Sequence, residues 1–161
     1  MKRLLIVLMV LFSLPIVGNA QKINWMTFQE ALELNQTAPK KIFVDVYTGW
    51  CGWCIKMDRT TFQDSTVVAY MNENFYAVKL DAEMTDTIVI GRYTYTNSRG
   101  FDGKWGVHQL AMKLLQGQAA FPSFVLLDER NRIITIERSY KPAKDFLPML
   151  MYYGSDAYLN Q

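Results

Sequence analysis

The chain has 161 residues, enough for one ordinary domain and short for two. It is 50% hydrophobic and 14% aromatic, which supplies a sizeable core and argues against disorder of the whole chain. The formal net charge of +2 resides in Lys2 and Arg3. Without residues 1–20 the 17 basic residues become 15, against 15 acidic ones, and no Lys/Arg run with interleaved aromatics offers a track for nucleic acid.

Residues 1–20 read as a secretory signal peptide. Lys2 and Arg3 precede the apolar run Leu4 to Phe12, followed by Pro15 and the small residues Gly18-Asn19-Ala20. The run is shorter than the roughly 20 residues of a membrane span. No cysteine follows the cleavage point to take a lipid. An uncleaved N-terminal anchor is the competing reading. Cleavage predicts a mature chain of residues 21–161 with no membrane span, periplasmic or secreted from a Gram-negative cell, where disulfides persist.

Gln21 to Trp25 reads as an extended lead-in. Thr27-Phe28-Gln29-Glu30 fits a capping box, and Phe28, Ala31 and Leu32 share a helical face bordered by Leu34, with the helix ending near Asn35. Asn35-Gln36-Thr37 has the form of a glycosylation sequon, a pattern short enough to arise by chance. Ile42 to Tyr47 is apolar on both faces, as in a central buried strand, and Asp45 interrupts it. A carboxylate in such a run is either functional or satisfied by a partner. Gly49-Trp50-Cys51-Gly52-Trp53-Cys54 follows, and Cys51 opens a helix reaching about Thr61. After a break at Phe62-Gln63-Asp64, Asp64 or Ser65 caps a helix over Thr66 to Asn72, and Phe75 to Leu80 is the next strand. Strand, helix and strand in that order imply parallel pairing.

Thr87 to Ile90 and Tyr93 to Thr96 flank Gly91-Arg92 and read as a small hairpin. Asn97 to Gly106 reads as a loop. Val107, Leu110, Ala111, Leu114 and Leu115 have helical spacing that stops at Gly117. Phe124 to Leu127 and Ile133 to Glu137 form an antiparallel hairpin, and Ala143 to Tyr153 is a final helix that Pro148 should kink or shift. Tyr158 and Leu159 lie in a tail that docks or frays.

Cys51 and Cys54 are the only cysteines. A bridge over two intervening residues removes little unfolded-state entropy, so stability alone is a weak reason for it. A zinc site needs about four ligands, and two Cys with one His fall short. A dithiol at a strand-to-helix junction is the sequence form of a redox couple. Cys51, at the helix N-terminus, is the candidate nucleophile, exposed to attack. Cys54, one turn in and shielded, is the candidate resolving thiol. Trp50 either covers the dithiol, forms partner surface or packs in the core. Gly52 and Trp53 fill the dipeptide between the sulfurs, with Trp53 as redox-tuning residue or partner contact. His108, the single histidine, reads as a helix cap, with an acid–base role as the rival.

The order β-α-β-insert-α-β-β-α with this dithiol resembles the thioredoxin-like superfamily over roughly residues 42–153. The motifs are Val-Asp-Val before Trp-Cys-Gly-Trp-Cys, Val-Lys-Leu-Asp in the second strand and Phe-Pro-Ser opening the third. Within it the chain is most similar to exported bacterial proteins of a Bacteroidetes type, and to the periplasmic thioredoxin-like domain of thiol:disulfide interchange electron transporters. The resemblance implies an α/β fold, a central mixed sheet flanked by helices, with an insert at about 84–106 before the third core helix. It implies that Asp45 is the buried carboxylate that assists Cys54, with Lys79 as its partner; a merely structural pair is the alternative. It implies that Pro122 is a cis-proline facing the dithiol and offering backbone to an extended substrate, unless it is an ordinary trans proline. Phe121 departs from the pattern by its bulk and narrows the groove. Tyr93, Tyr95, Phe101 and Trp105 make the insert aromatic, as a partner rim or a cap on the sheet edge.

The implied function is a thiol:disulfide oxidoreductase of the cell envelope acting on protein disulfides, preferably as reductant. It uses no cofactor beyond the Cys51–Cys54 pair and draws electrons from a membrane donor. A disulfide oxidase or isomerase, and a non-catalytic binding or chaperone module with a structural disulfide, are the rival readings.

Overall fold

The computed structural model describes residues 21–98 and 106–160. The signal segment, Phe101 and Trp105 lie outside them. Five strands form one mixed sheet: β1 (Trp25–Met26), β2 (Lys41–Tyr47), β3 (Phe75–Asp81), and, after a separate β4–β5 hairpin (Ile88–Ile90, Tyr93–Tyr95), β6 (Ser123–Leu127) and β7 (Ile133–Arg138). Their spatial order is β1-β3-β2-β6-β7. β3 runs parallel to β1 and β2, while β6 is antiparallel to both β2 and β7.

The helices are α1 (Phe28–Thr37), α2 (Gly52–Arg59), α3 (Ser65–Asn74), α4 (Gln109–Leu114) and α5 (Ala143–Gly154). Central β2 distributes them. Ile42, Val44 and Val46 point into a core shared with Phe28 and Ala31 of α1 and Leu110, Ala111 and Leu114 of α4. Phe43, one residue out of phase, points into the other core with Met57 of α2, Val67 and Met71 of α3 and Phe146 and Leu150 of α5. This is the two-residue period of a strand buried on both faces. Phe43 stacks on Phe124 at 5.7 Å, and Phe146 meets both rings edge-on at 5.6 and 5.3 Å.

Local chemistry starts and stops the elements. Thr27 Oγ1 accepts the Glu30 N–H at 3.2 Å and Glu30 Oε2 accepts the Thr27 N–H at 2.7 Å, completing the capping box of α1. Asp64 caps α3 by accepting from Thr66 and Val67. Gly91, at φ 58°, makes the tight turn of the β4–β5 hairpin.

Several expectations change. Only the end of the lead-in, Trp25, enters a strand, the two-residue β1 that pairs with β3. Helix α1 continues to Thr37: Asn35 is buried and donates to the Glu129 carbonyl at 2.9 Å, which holds the last turn down. Leu34 does not border the core but is exposed. Helix α2 ends at Arg59, and Thr61–Gln63 is a separate 3-10 turn that buries Phe62. Helix α5 runs through Pro148 with its start set by Pro142. Pro148 removes the helical donor of the Lys144 carbonyl, and both residues lie on the exposed side of the helix. Among the described residues the insert neither pairs with nor extends the main sheet; Ile88 anchors it into the α1/α4 core. Tyr158 docks on Tyr153 at 5.8 Å while Leu159 stays exposed.

Candidate active site

Strand β2 ends at Tyr47, and the turn that follows delivers Cys51, whose N–H donates to the Thr48 carbonyl at 3.2 Å. Cys51 is the N-cap of α2, and its Sγ accepts the Cys54 N–H at 3.2 Å. The two sulfurs are joined as a disulfide with the Cα atoms 5.3 Å apart. A helix N-terminus directs unpaired N–H groups and positive potential at that sulfur. The expected contrast between an exposed and a shielded sulfur is small: Cys51 is 5% exposed and Cys54 2%. What distinguishes them is place, one capping the helix and one inside its first turn.

Asp45 and Lys79 are brought together by the β2–β3 register, which sets them side by side. Lys79 Nζ lies 2.8 Å from Asp45 Oδ2. The sequence reading missed a third member, Asp58 of α2, whose Oδ1 is 2.5 Å from the same ammonium. Its signal was the spacing Cys54 to Asp58, one helical turn on the same face. The rings of Tyr47, Trp25 and Phe62 surround Lys79 at 4.5, 5.3 and 5.4 Å. Burial pushes the Asp45 carboxyl up to about 6, opposed by Lys79 and reinforced by the charge of Asp58. Burial pulls Lys79 down, but its two carboxylates outweigh that and hold it above the usual lysine value. Asp45 Oδ1 is buried with no hydrogen-bond partner among the described residues. One oxygen of the carboxyl is thus tied to the ammonium and the other is free to carry a proton.

The indole rings are surface. Trp50 is 69% exposed, so core packing is ruled out for it. Its N–H donates to Glu83 Oε1 at 3.0 Å, and its ring meets Phe121 edge-on at 6.1 Å. Glu83, also missed, is oriented by its own N–H donating to Asp81 Oδ1. Trp53 leans on Tyr140 at 5.0 Å, and Lys56 Nζ sits over both rings. Gly52 between them is exposed, with nothing within 4 Å of the place its Cβ would take.

The Phe121–Pro122 peptide bond is cis. Ser123, next in the chain, pairs with Val46 near the end of β2, which sets Pro122 at the dithiol end of the sheet. His108 is fully buried. Its Nδ1 accepts the Leu110 N–H at 3.2 Å and its Nε2 lies 3.0 Å from the Asp86 carbonyl, so the ring bears its hydrogen on Nε2. Both nitrogens are committed to capping α4 and holding the insert.

The family model "Thioredox_DsbH: Protein of unknown function, DUF255" matches residues 16–113, a span that includes Asp45, Cys51, Cys54 and Lys79 and stops before Pro122. Spermatogenesis-associated protein 20 of Rattus norvegicus is 28% identical over 104 residues, 62% of this chain but 13% of that protein. The chain thus spans a small part of that relative. Among solved structures, one titled "DsbH Oxidoreductase" superposes with a TM-score of 0.58 at 20% identity, covering 84% of this chain and 87% of the other. A thioredoxin from Thermus thermophilus superposes with 0.61 at 17% identity, covering 83% and 88%. At these identities the likeness is one of fold. A thioredoxin-like fold with a Cys-x-x-Cys disulfide supports thiol:disulfide oxidoreductase chemistry in general. The family match covers more than half of the sequence, and the chain belongs to the Thioredox_DsbH family of thioredoxin-like proteins.

Proposed function

We propose that the chain reduces disulfides of other proteins in the cell envelope, with Cys51 as nucleophile and Cys54 as resolving thiol. The observation that carries this reading is Cys51 at the N-cap of α2, with its sulfur already accepting a helix N–H. In the reduced form that environment stabilises a thiolate.

The Cys51 thiolate attacks one sulfur of a substrate disulfide. The substrate S–S bond breaks, the Cys51–substrate bond forms, and the distal substrate sulfur leaves as a thiolate and is protonated. Cys54 then loses its proton, attacks Cys51 Sγ, and releases the second substrate thiolate. Two electrons have passed to the substrate, and the Cys51–Cys54 disulfide remains. Asp45 takes the Cys54 proton: its buried carboxyl near 6 is close to neutral pH, and its free oxygen is available. Lys79 holds the carboxyl in place. Pro122 and Phe121 align the substrate backbone beside the dithiol, with Trp50, Gly52 and Trp53 as the surrounding contact surface. Regeneration calls for a dithiol donor, for which a membrane electron transporter is the candidate partner.

Insulin reduction with a supplied chemical reductant tests the reaction. Turnover above the reductant alone, lost in Cys51→Ser, is the expected result; no acceleration by the intact chain defeats the enzyme reading. The measured potential gives the direction. A value near the roughly −270 mV of thioredoxin supports reduction, and one near about −120 mV supports oxidation. Unchanged partner binding and biological effect in the double Cys→Ser variant would favour the binding-module reading. Cell fractionation checks the envelope location.

A further inference from the structure

Strand β7 is a sheet edge. It pairs with β6, and no other strand among the described residues pairs with it. Such an edge presents free N–H and C=O groups to an incoming chain. A cleft of about 360 Å³ runs along it, lined by Ile134, Thr135, Ile136 and Arg138 of β7 and by Gln116 and Gln118 from the loop after α4.

Arg138 makes this cleft chemically uneven. Its Nε is buried and has no hydrogen-bond partner among the described residues. Its neighbour Glu137 is engaged elsewhere, with Lys141 Nζ at 3.3 Å and the Tyr153 hydroxyl at 3.0 Å. Arg132, on the turn before β7, is already paired with Asp128. With its Nε–H shut away, the Arg138 guanidinium keeps its terminal N–H groups, on which a carboxylate seats in a two-pronged geometry. The side-chain amides of Gln116 and Gln118 offer donors and acceptors to a backbone. Gln116, on the wall of the cleft, takes φ 54°, a conformation unusual for a non-glycine residue.

The cleft also leads to the site. Arg138 is opposite Ser123 in the β6–β7 register, and the Ser139 N–H donates to the Pro122 carbonyl at 3.1 Å. A strand added along β7 therefore ends at the dithiol end of the sheet, with β7 between it and Phe121-Pro122.

We propose that the β7 edge docks an extended acidic segment of the protein substrate, added as a further strand with an Asp or Glu carboxylate on the Arg138 guanidinium. This rests on the reading of the chain as a protein-disulfide reductase and narrows its substrates to proteins with an acidic extended segment near the reducible disulfide.

The test uses the full oxidised chain and a cysteine-free, fluorescein-labelled peptide of alternating Val and Glu, beside the same peptide with Gln for Glu. The acidic peptide is expected to bind about tenfold tighter than the neutral one, and Arg138→Gln to remove that difference while Arg138→Lys keeps part of it. In the native chain, bound peptide should slow amide hydrogen exchange along residues 133–138, a readout that needs no variant. Equal affinity for the two peptides overturns the proposal. So does discrimination that survives Arg138→Gln, or protection confined to β1. Full displacement of the acidic peptide by millimolar inorganic phosphate, without protection of β7, would show a general anion site instead and also overturns it. Because the peptide has no cysteine, this result is independent of insulin reduction, which reports the dithiol alone.

Discussion

Asp45→Asn probes the electrostatics beneath the dithiol. The carboxyl is 1% exposed, and burial lifts it from 3.8 to about 6 against the pull of Lys79. A rise of about two units corresponds to about 3 kcal/mol between its neutral and ionised forms. The unfolded chain releases this proton near 3.8 and the folded chain near 6. Its contribution to stability is therefore complete below the unfolded value and is lost as pH rises through about 6. Asparagine does not titrate there. The stability of the variant relative to the native chain should thus rise by about 2.5 kcal/mol between about pH 4 and about pH 7.5. Taking the difference cancels groups common to both chains, such as Asp64, which the Thr66 hydroxyl holds below the usual carboxylate value. Lys79 keeps Asp58 as a partner, so the substitution does not strand the ammonium. Urea denaturation of the oxidised proteins at the two pH values measures the difference. A gap that stays constant within about 0.5 kcal/mol refutes the assignment of the raised value to Asp45. In insulin reduction the same variant should slow turnover and lose the limb of the pH–rate profile near 6; an unchanged profile removes Asp45 from the proton transfer.

The other predictions concern the sulfurs, the buried histidine and the buried lysine. Cys54→Ser should accumulate mixed disulfides with substrates, visible on non-reducing gels, whereas Cys51→Ser should accumulate none; the reverse pattern exchanges their roles. His108→Ala removes the α4 cap and its bond to the Asp86 carbonyl, and should cost about 3 kcal/mol by urea midpoint, with His108→Asn recovering part. Lys41 is 4% exposed and paired with Glu129 at 2.8 Å and Asp156 at 2.9 Å, both about half exposed. Removing both carboxylates leaves a buried ammonium and should cost about 3 kcal/mol, while Lys41→Met should cost less than about 1 kcal/mol. Equal losses in the two variants would show that water compensates that charge.

The sequence by itself determined what short-range periodicity and covalent neighbourhood carry. The capping box at Thr27, the two-faced run of β2 and the Gly91 turn are written in adjacent residues. So is the Cys51–Cys54 pair at a helix start, since a sulfur at an N-cap needs only the strand before it and the helix behind. Asp45 was conspicuous as a charge inside an apolar strand, and its pairing with Lys79 came from the family pattern. The tertiary structure decided what depends on elements distant in the chain meeting at one place. The β2–β3 register and the packing of α2 bring Asp58 to the Lys79 that Asp45 holds. A bend at residues 81–83 sets Glu83 under the Trp50 indole and makes that ring surface. Tertiary packing leaves Cys51 nearly as buried as Cys54, which no local pattern records. The edge of β7, unpaired among the described residues and carrying Arg138 opposite Ser123, exists only because the sheet ends there. Local hydrogen bonding and side-chain periodicity are encoded within a few residues; burial, shared ion pairs and free sheet edges are set by which surfaces the packed chain leaves facing one another.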